Sequence, residues 1–145
     1  MPAQKPIRLL AIASGGGHWV QLLRMRSAWD DCDVTYASVH ASSADDVPGK
    51  RYVNFVDVSR RSLWRVPIVV AQMLWLVLRV RPQVIVTTGA MPPLLALVLG
   101  RLIGARTLWI DSIANSERLS GSGEIARRFA HQVITQWPDL AQGND

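Results

Sequence analysis

Six short apolar runs rich in β-branched residues, at Ile7–Ala13, Val34–Val39, Tyr52–Val56, Val84–Thr88, Thr107–Ile110 and Val133–Thr135, leave few folds open to this chain. Most lack the polar alternation of a half-solvated strand, so they read as parallel strands covered on both faces. Helical patterns fall between most of them, at His18–Trp29, Pro67–Val80, Pro93–Leu102 and Glu124–Ala130. Pro92-Pro93 suit a helix start, Gly104 suits a C-terminal cap, and Ser122 can cap the helix that begins near Glu124. The alternation predicts one α/β domain over residues 1–145, Rossmann-like and doubly wound, with a mostly parallel sheet of about six strands. The link from Ala41 to Lys50 has no helical pattern and reads as a surface loop.

Ser14-Gly15-Gly16-Gly17-His18 stands between the first strand and the first helix. Glycines at a strand end let the backbone approach a ligand closely, and the N–H groups that open the following helix favour anions such as phosphate. A dinucleotide fingerprint would need a third glycine at Val20 and an acid near Val39-His40, and a Walker loop would need Gly-Lys-Ser/Thr. Neither pattern is present. What remains is a triple glycine closed by His18, readable as a tight turn with a surface histidine or as a ligand site, and its position at a strand end favours the second.

Length and composition narrow the classes further. The 145 residues are 49% hydrophobic with a mean hydropathy of +0.14, which suits one folded unit with a real core. The net charge is +5, and 14 of the 16 cations are Arg, the side chain best matched to phosphate and other planar anions. These cations are scattered and no nucleic-acid recognition motif accompanies them, so nucleic acid is not expected as a partner. The single Cys32 forms no internal disulfide, and Met1 to Lys5 lacks the apolar core of a signal peptide, so the cytoplasm is the expected compartment. Asp31-Cys32-Asp33 precedes the second strand, away from the ligand edge, and reads as a solvated turn with a plain thiol; no metal site or cofactor is expected.

Leu63 to Val80 is unusually apolar, with only Arg65, Gln72 and Arg79 as polar side chains. Their spacing of seven residues brings them back to nearly one helical angle, so they form a thin stripe on an otherwise apolar cylinder. Val66 to Leu78 would run only about 20 Å, short of the ~30 Å of a bilayer core. Trp64 and Trp75, with Arg65 and Arg79 near the two ends, are residue types found where protein meets lipid headgroups. Two readings follow: a helix sandwiched inside the fold, or one that rests on a membrane. The apolar run Leu94–Leu99 adds to the second.

Two more loops lie at strand ends. Thr87-Thr88-Gly89 precedes a helix start, so Gly89 is a candidate for a second phosphate contact. Asp111-Ser112 opens a polar segment through Gly123 that is longer than a minimal connection, as functional loops often are.

The glycine loop through His18, the element Val84-Ile85-Val86-Thr87-Thr88-Gly89, Ile110-Asp111-Ser112 followed by Arg118-Leu119-Ser120-Gly121, and Gln136-Trp137-Pro138-Asp139-Leu140 share order and spacing with a known family. From about Ile7 to Leu140 the chain resembles the membrane-associated, acceptor-side subunit of two-part UDP-sugar glycosyltransferases. That family works in oligosaccharide and exopolysaccharide biosynthesis, and resembles the N-terminal half of a GT-B enzyme. The resemblance implies that this chain receives a lipid-(pyro)phosphate-linked sugar at the cytoplasmic face of the membrane as a peripheral protein. A separate subunit, bound as a heterodimer partner, would hold the UDP-sugar, and the chain would be inactive without it. On this reading Ser14, Gly15, Gly16, Gly17, Gly89, Ser112 and Arg118 bind the acceptor and its phosphates. His18 is the implied base, with Asp111 as runner-up, and Trp64, Arg65, Trp75 and Arg79 meet the membrane.

Departures from the family pattern are specific. Ser122-Gly123-Glu124 replaces Thr-Gly-Lys, and Trp19 stands where a small polar residue is common. The eukaryotic members carry an N-terminal transmembrane anchor that these letters do not show, which would leave attachment to the Trp64–Arg79 helix. Two other classes of function stay open on the residues: a non-catalytic membrane recruiter of a complete enzyme, and a stand-alone nucleotide-binding domain.

Overall fold

In a computed structural model, which describes residues 5–59, 61–112, 119 and 121–135, six parallel strands form one sheet in the order β3-β2-β1-β4-β5-β6. The strands are β1 (Arg8–Ile12), β2 (Asp33–Ser38), β3 (Arg51–Asn54), β4 (Val84–Thr87), β5 (Arg106–Ile110) and β6 (Gln132–Ile134). The helices are α1 (Gly17–Arg24), α2 (Val66–Val80), α3 (Met91–Leu102) and α4 (Gly121–Phe129). The α/β class, the doubly wound arrangement and the strand count all match the expectation from the sequence.

β1 is the middle of the structure. It pairs with β2 on one side, Leu9 opposite Val34, and with β4 on the other, Leu9 opposite Val84. Leu10, Ala11 and Ile12 are fully buried because both faces are covered. Leu9 and Ala11 face Trp19 and Leu22 of α1, whereas Leu10 and Ile12 face Val69, Met73, Leu76 and Val77 of α2 and Ala96 of α3. Alternation along one strand thus feeds two cores.

Two stretches differ from expectation. The first helix stops at Arg24, and Arg26–Trp29 forms a separate 3₁₀ turn that inserts Trp29 into the core. The Ala41–Lys50 link is not wholly a surface loop: Ala41–Asp46 is a 3₁₀ turn, with Ser43 and the following Val47 buried. Val47 belongs to the same core as α1, which explains why an apparently polar stretch holds a fixed path.

α2 ends at Arg81, which adopts a left-handed conformation (φ 48°) and donates its N–H to the Val77 carbonyl at 2.9 Å before Pro82 prevents continuation. Together with the turn Leu63–Arg65 it makes an 18-residue apolar segment of mean hydropathy 1.6, of which only 22% is buried. The sandwiched reading of this helix is therefore not what the fold adopts. Its inward residues are core members, while Ile68, Leu74, Trp75 and Leu78 stand in solvent.

α4 and β6 are tied to the sheet by His131. Its Nδ1 accepts the Thr107 backbone N–H at 3.1 Å, so the proton of the neutral ring sits on Nε2. Burial, then the charges of Arg101 and Arg106, hold this imidazole below its ordinary range. The unfolded chain then binds the proton more readily than the folded one, so the contribution is whole above the unfolded pKa and fades as pH falls through it. Asn at this position offers an acceptor that does not titrate. Between pH 7.5 and 5.5, the native chain should lose stability relative to His131→Asn, measured as the change in urea midpoint.

Candidate functional site

β1 and β4 are adjacent, yet their chains leave in opposite directions: β1 feeds α1 and β2, and β4 feeds α3 and β5. In open parallel sheets this divergence leaves a crevice at the carboxyl ends of the strands, where ligands bind. The glycine loop sits at that point. Gly16, with φ 68° and ψ −134°, is in a conformation that favours glycine and turns the chain into α1. The first helical bond runs from the Val20 N–H to the Gly16 carbonyl at 3.2 Å, leaving the N–H groups of Gly17, His18 and Trp19 outside the helix's own ladder. No acid occupies the first turn and no side chain caps it. A Cβ built at Gly16 or Gly17 meets nothing within 4 Å, so the tip of the loop faces open space. That geometry suits an anion.

His18, half-buried on the first turn of α1, is locked across the switch point. Its Nδ1 lies 3.0 Å from the Thr88 carbonyl, which can only accept; Nδ1 therefore carries the proton and Nε2 the lone pair. The Thr88 hydroxyl donates back to the His18 carbonyl. Gly89 is needed beneath the ring, because a Cβ there would lie 2.7 Å from both Nδ1 and Cε1, and its φ of 141° is itself a glycine conformation. Gly89 thus makes room for the imidazole, a task the sequence did not reveal. The next residue, Ala90, has φ 81° and ψ 167°, a strained conformation for a residue with a Cβ. Pro92 and Pro93 in the first turn of α3 have no N–H, so this helix end presents far fewer donors than α1.

On the β2–β3 side of the loop lies a cleft of about 560 Å³, lined by Ser14, Gly15 and Gly16 together with His40, Asn54, Asp57, Arg65 and Gln72. Sequence reading named the glycines and Ser14 but missed His40, Asn54, Asp57 and Gln72 as neighbours of the loop. A Cβ at Gly15 would come 2.7 Å from the His40 ring, so this glycine admits a second imidazole. The Tyr52 hydroxyl donates to the His40 carbonyl, and burial is the main reason it stays protonated well into alkaline pH. Gln72 accepts the Val56 N–H through Oε1 at 2.9 Å, which leaves its NH₂ group as a donor. Arg65 and Gln72, two members of the polar stripe on α2, therefore serve this cleft, while Arg79 is exposed.

The remaining candidates fall in different settings. Trp19 is buried, donates its indole N–H to Asp46 at 2.9 Å, and packs edge-on against Tyr36 and Tyr52. It braces the first turn of α1 against the 3₁₀ turn, which accounts for its size. Asp111 is only 1% exposed and accepts the Trp109 indole N–H at 3.0 Å, while Gln21 of α1 donates to its backbone carbonyl. Ser112 follows it and is half-buried. Arg118 and Gln136–Leu140 lie outside the described residues. Trp64 is 67% exposed with the Arg65 guanidinium 5.0 Å over its ring, and Trp75 is 56% exposed. Cys32 lies at the other end of the sheet, where burial and the Asp31 carboxylate push its thiol up, away from the reactive thiolate. Among the described residues no group of three or more His, Cys, Asp or Glu is placed to hold a metal.

The class is thus a Rossmann-like α/β unit with an anion-suited switch point. The same fold occurs in Acinetobacter baumannii MurG, which superimposes with a TM-score of 0.74 at 11% identity over 92% of this chain and 43% of that one. A UDP-GlcNAc 2-epimerase from Methanocaldococcus jannaschii gives 0.66 at 11% identity over 94% of this chain and 41% of that one. The chain spans less than half the length of these structures, and the likeness is one of fold. Residues 47–145 match the model of the family described as "Oligosaccharide biosynthesis protein Alg14 like", and the chain belongs to that family. Relatives named "UDP-N-acetylglucosamine transferase subunit ALG14" are 25% identical in Mus musculus, over 96% of this chain and 79% of theirs, and 25% in Eremothecium gossypii, over 94% and 75%. The family expected from the glycine loop and its companion motifs is the one found.

The His18 lock is testable directly. Ring ¹⁵N spectra at neutral to alkaline pH should show His18 as the Nδ1–H tautomer in the native chain. Gly89→Ala should displace the ring and mix the tautomers, whereas Gly17→Ala, at an open position outside the lock, should leave them unchanged.

Proposed function

We propose that this chain is the acceptor-side subunit of a bipartite glycosyltransferase. It receives a lipid-(pyro)phosphate-linked sugar at the membrane and contributes a base to transfer from a UDP-sugar held by a second subunit. The observation that carries the reading is His18, whose Nδ1 is held on the Thr88 carbonyl so that Nε2 is the ring nitrogen left for a ligand, beside an open glycine loop. In an inverting transfer the acceptor hydroxyl attacks the anomeric carbon, the bond to UDP breaks, and the hydroxyl proton passes to Nε2. The N–H groups that open α1, with Ser14, Gly15, Gly16 and Gly17, would hold the acceptor's phosphates. Ser112 and Arg118 complete the acceptor set on family resemblance. Gly89 acts through His18. Asp111, buried and bonded to an indole, is the weaker base candidate, since a base must reach the hydroxyl it deprotonates.

The relatives' name as a UDP-N-acetylglucosamine transferase subunit supports a donor-binding partner and N-acetylglucosamine as the first sugar to try. The solvent face of α2, with Trp64, Arg65, Trp75 and Arg79, supports peripheral attachment to the cytoplasmic face of a membrane, where apolar area and cationic rims act together.

The test is a transfer assay with the chain co-purified with its donor-binding partner, a lipid-linked sugar and candidate UDP-sugars. Transfer should require both subunits. His18→Ala should lower turnover of the assembled pair by about 10²–10⁴-fold. Full turnover per complex in that variant would make the chain a recruiter, and tight UDP-sugar binding by the chain alone would make it a nucleotide-binding domain.

A further inference from the structure

A second cavity, of about 380 Å³, lies between the segment after β3, the start of α2 and the start of α3. It is lined by Val58, Leu63, Val66, Val69, Met91 and Leu95, with Ser59 as its one hydroxyl. That hydroxyl is already engaged with Ser62, whose Oγ lies 3.2 Å away. Among the described residues the crevice therefore offers a ligand hydrocarbon contact and little else.

The wall between this crevice and the polar cleft is formed, among the described residues, by members of 56–59 and 63–66 that alternate their allegiance. Val56 and Asp57 line the cleft, and Val58 and Ser59 line the crevice. Arg65 lines the cleft, and its neighbours Leu63 and Val66 line the crevice. On one side stand Arg65, His40 and the NH₂ of Gln72, which suit a negative head, with the Asp57 carboxylate to be kept away from it; on the other stands an apolar slot. Both volumes are in the ~300–1,000 Å³ range of small-molecule sites. Met91, one of the crevice's lining residues, follows Gly89 and Ala90 in the chain, and Gly89 packs against the His18 ring.

We infer that the crevice is the subsite for the first segment of the acceptor's hydrocarbon chain, the part nearest the phosphates. The ligand straddles that wall with its phosphates at Arg65 and the glycine loop. This rests on the acceptor reading above and adds where the tail goes: into a slot between α2 and α3, not only along the outer face of α2. Arg65 is then a junction residue, held over Trp64 at the point where anion gives way to alkyl chain.

The test uses the full chain with decyl phosphate, kept below its micellar concentration, and butyl phosphate, titrated by calorimetry. Each additional CH₂ removed from water should tighten binding about fourfold, so decyl phosphate should bind at least tenfold better than butyl phosphate. Leu95→Trp fills the slot and should erase most of that preference, weakening decyl phosphate far more than butyl phosphate. Leu63→Asp, at an exposed rim position that tolerates a polar side chain in the fold, should do the same by placing a charge at the mouth. Equal binding of the two phosphates, or binding of neither, overturns the inference. So does a preference that survives both variants but is lost in Trp75→Ser, which would put the tail on the outer face. These failures are distinct from those of the acceptor reading, which falls if His18→Ala keeps full turnover in the assembled pair or if the chain alone binds UDP-sugar tightly.

Discussion

The reciprocal bonds between His18 and Thr88 organise this molecule. They join the loops after β1 and β4, the two central strands, at the place where the chain's direction of travel across the sheet reverses. A single hydrogen bond adds about 1 kcal/mol to stability, so their weight lies less in holding the fold than in fixing one ring. The carbonyl of Thr88 decides which nitrogen of His18 carries the proton, and Gly89 decides how close the ring can lie. Two residues without acid-base chemistry of their own thus set the chemistry of a third.

Much of the architecture is legible in the sequence because parallel strands covered on both faces must be apolar throughout, and this chain's are. Leu10 and Ile12, with Leu9 and Ala11, needed no partner to be recognised as core. The glycine loop is equally legible, since Gly16 needs its positive φ. The polar cleft is not. Asn54 reads as part of a strand and Asp57 as the residue just past it, and His40 gives no local signal; they meet Ser14 only because β2 and β3 pair beside β1. Trp19 read as a departure from its family, yet its partners Asp46, Tyr36 and Tyr52 come from later in the chain. Local spacing cannot carry such information.

The helix α2 shows how an apolar pattern underdetermines its setting. Its composition fits a buried helix, a membrane helix or a surface one. What decides is that Val69, Met73, Leu76 and Val77 are held in the core beneath the sheet, which fixes the helix flat on the domain and leaves the opposite face bare. Arg65 and Gln72 then fall at the seam between the helix and the β3 edge. The thin polar stripe is a border rather than a solvated face.

Pro92 and Pro93 carry a consequence for where backbone donors stand at the sheet edge. By stripping donors from the head of α3, they leave α1 the richer in donors of the two helix starts that flank the switch point. The edge at the switch point is consequently uneven in its backbone donors, rich at the start of α1 and poor at the start of α3.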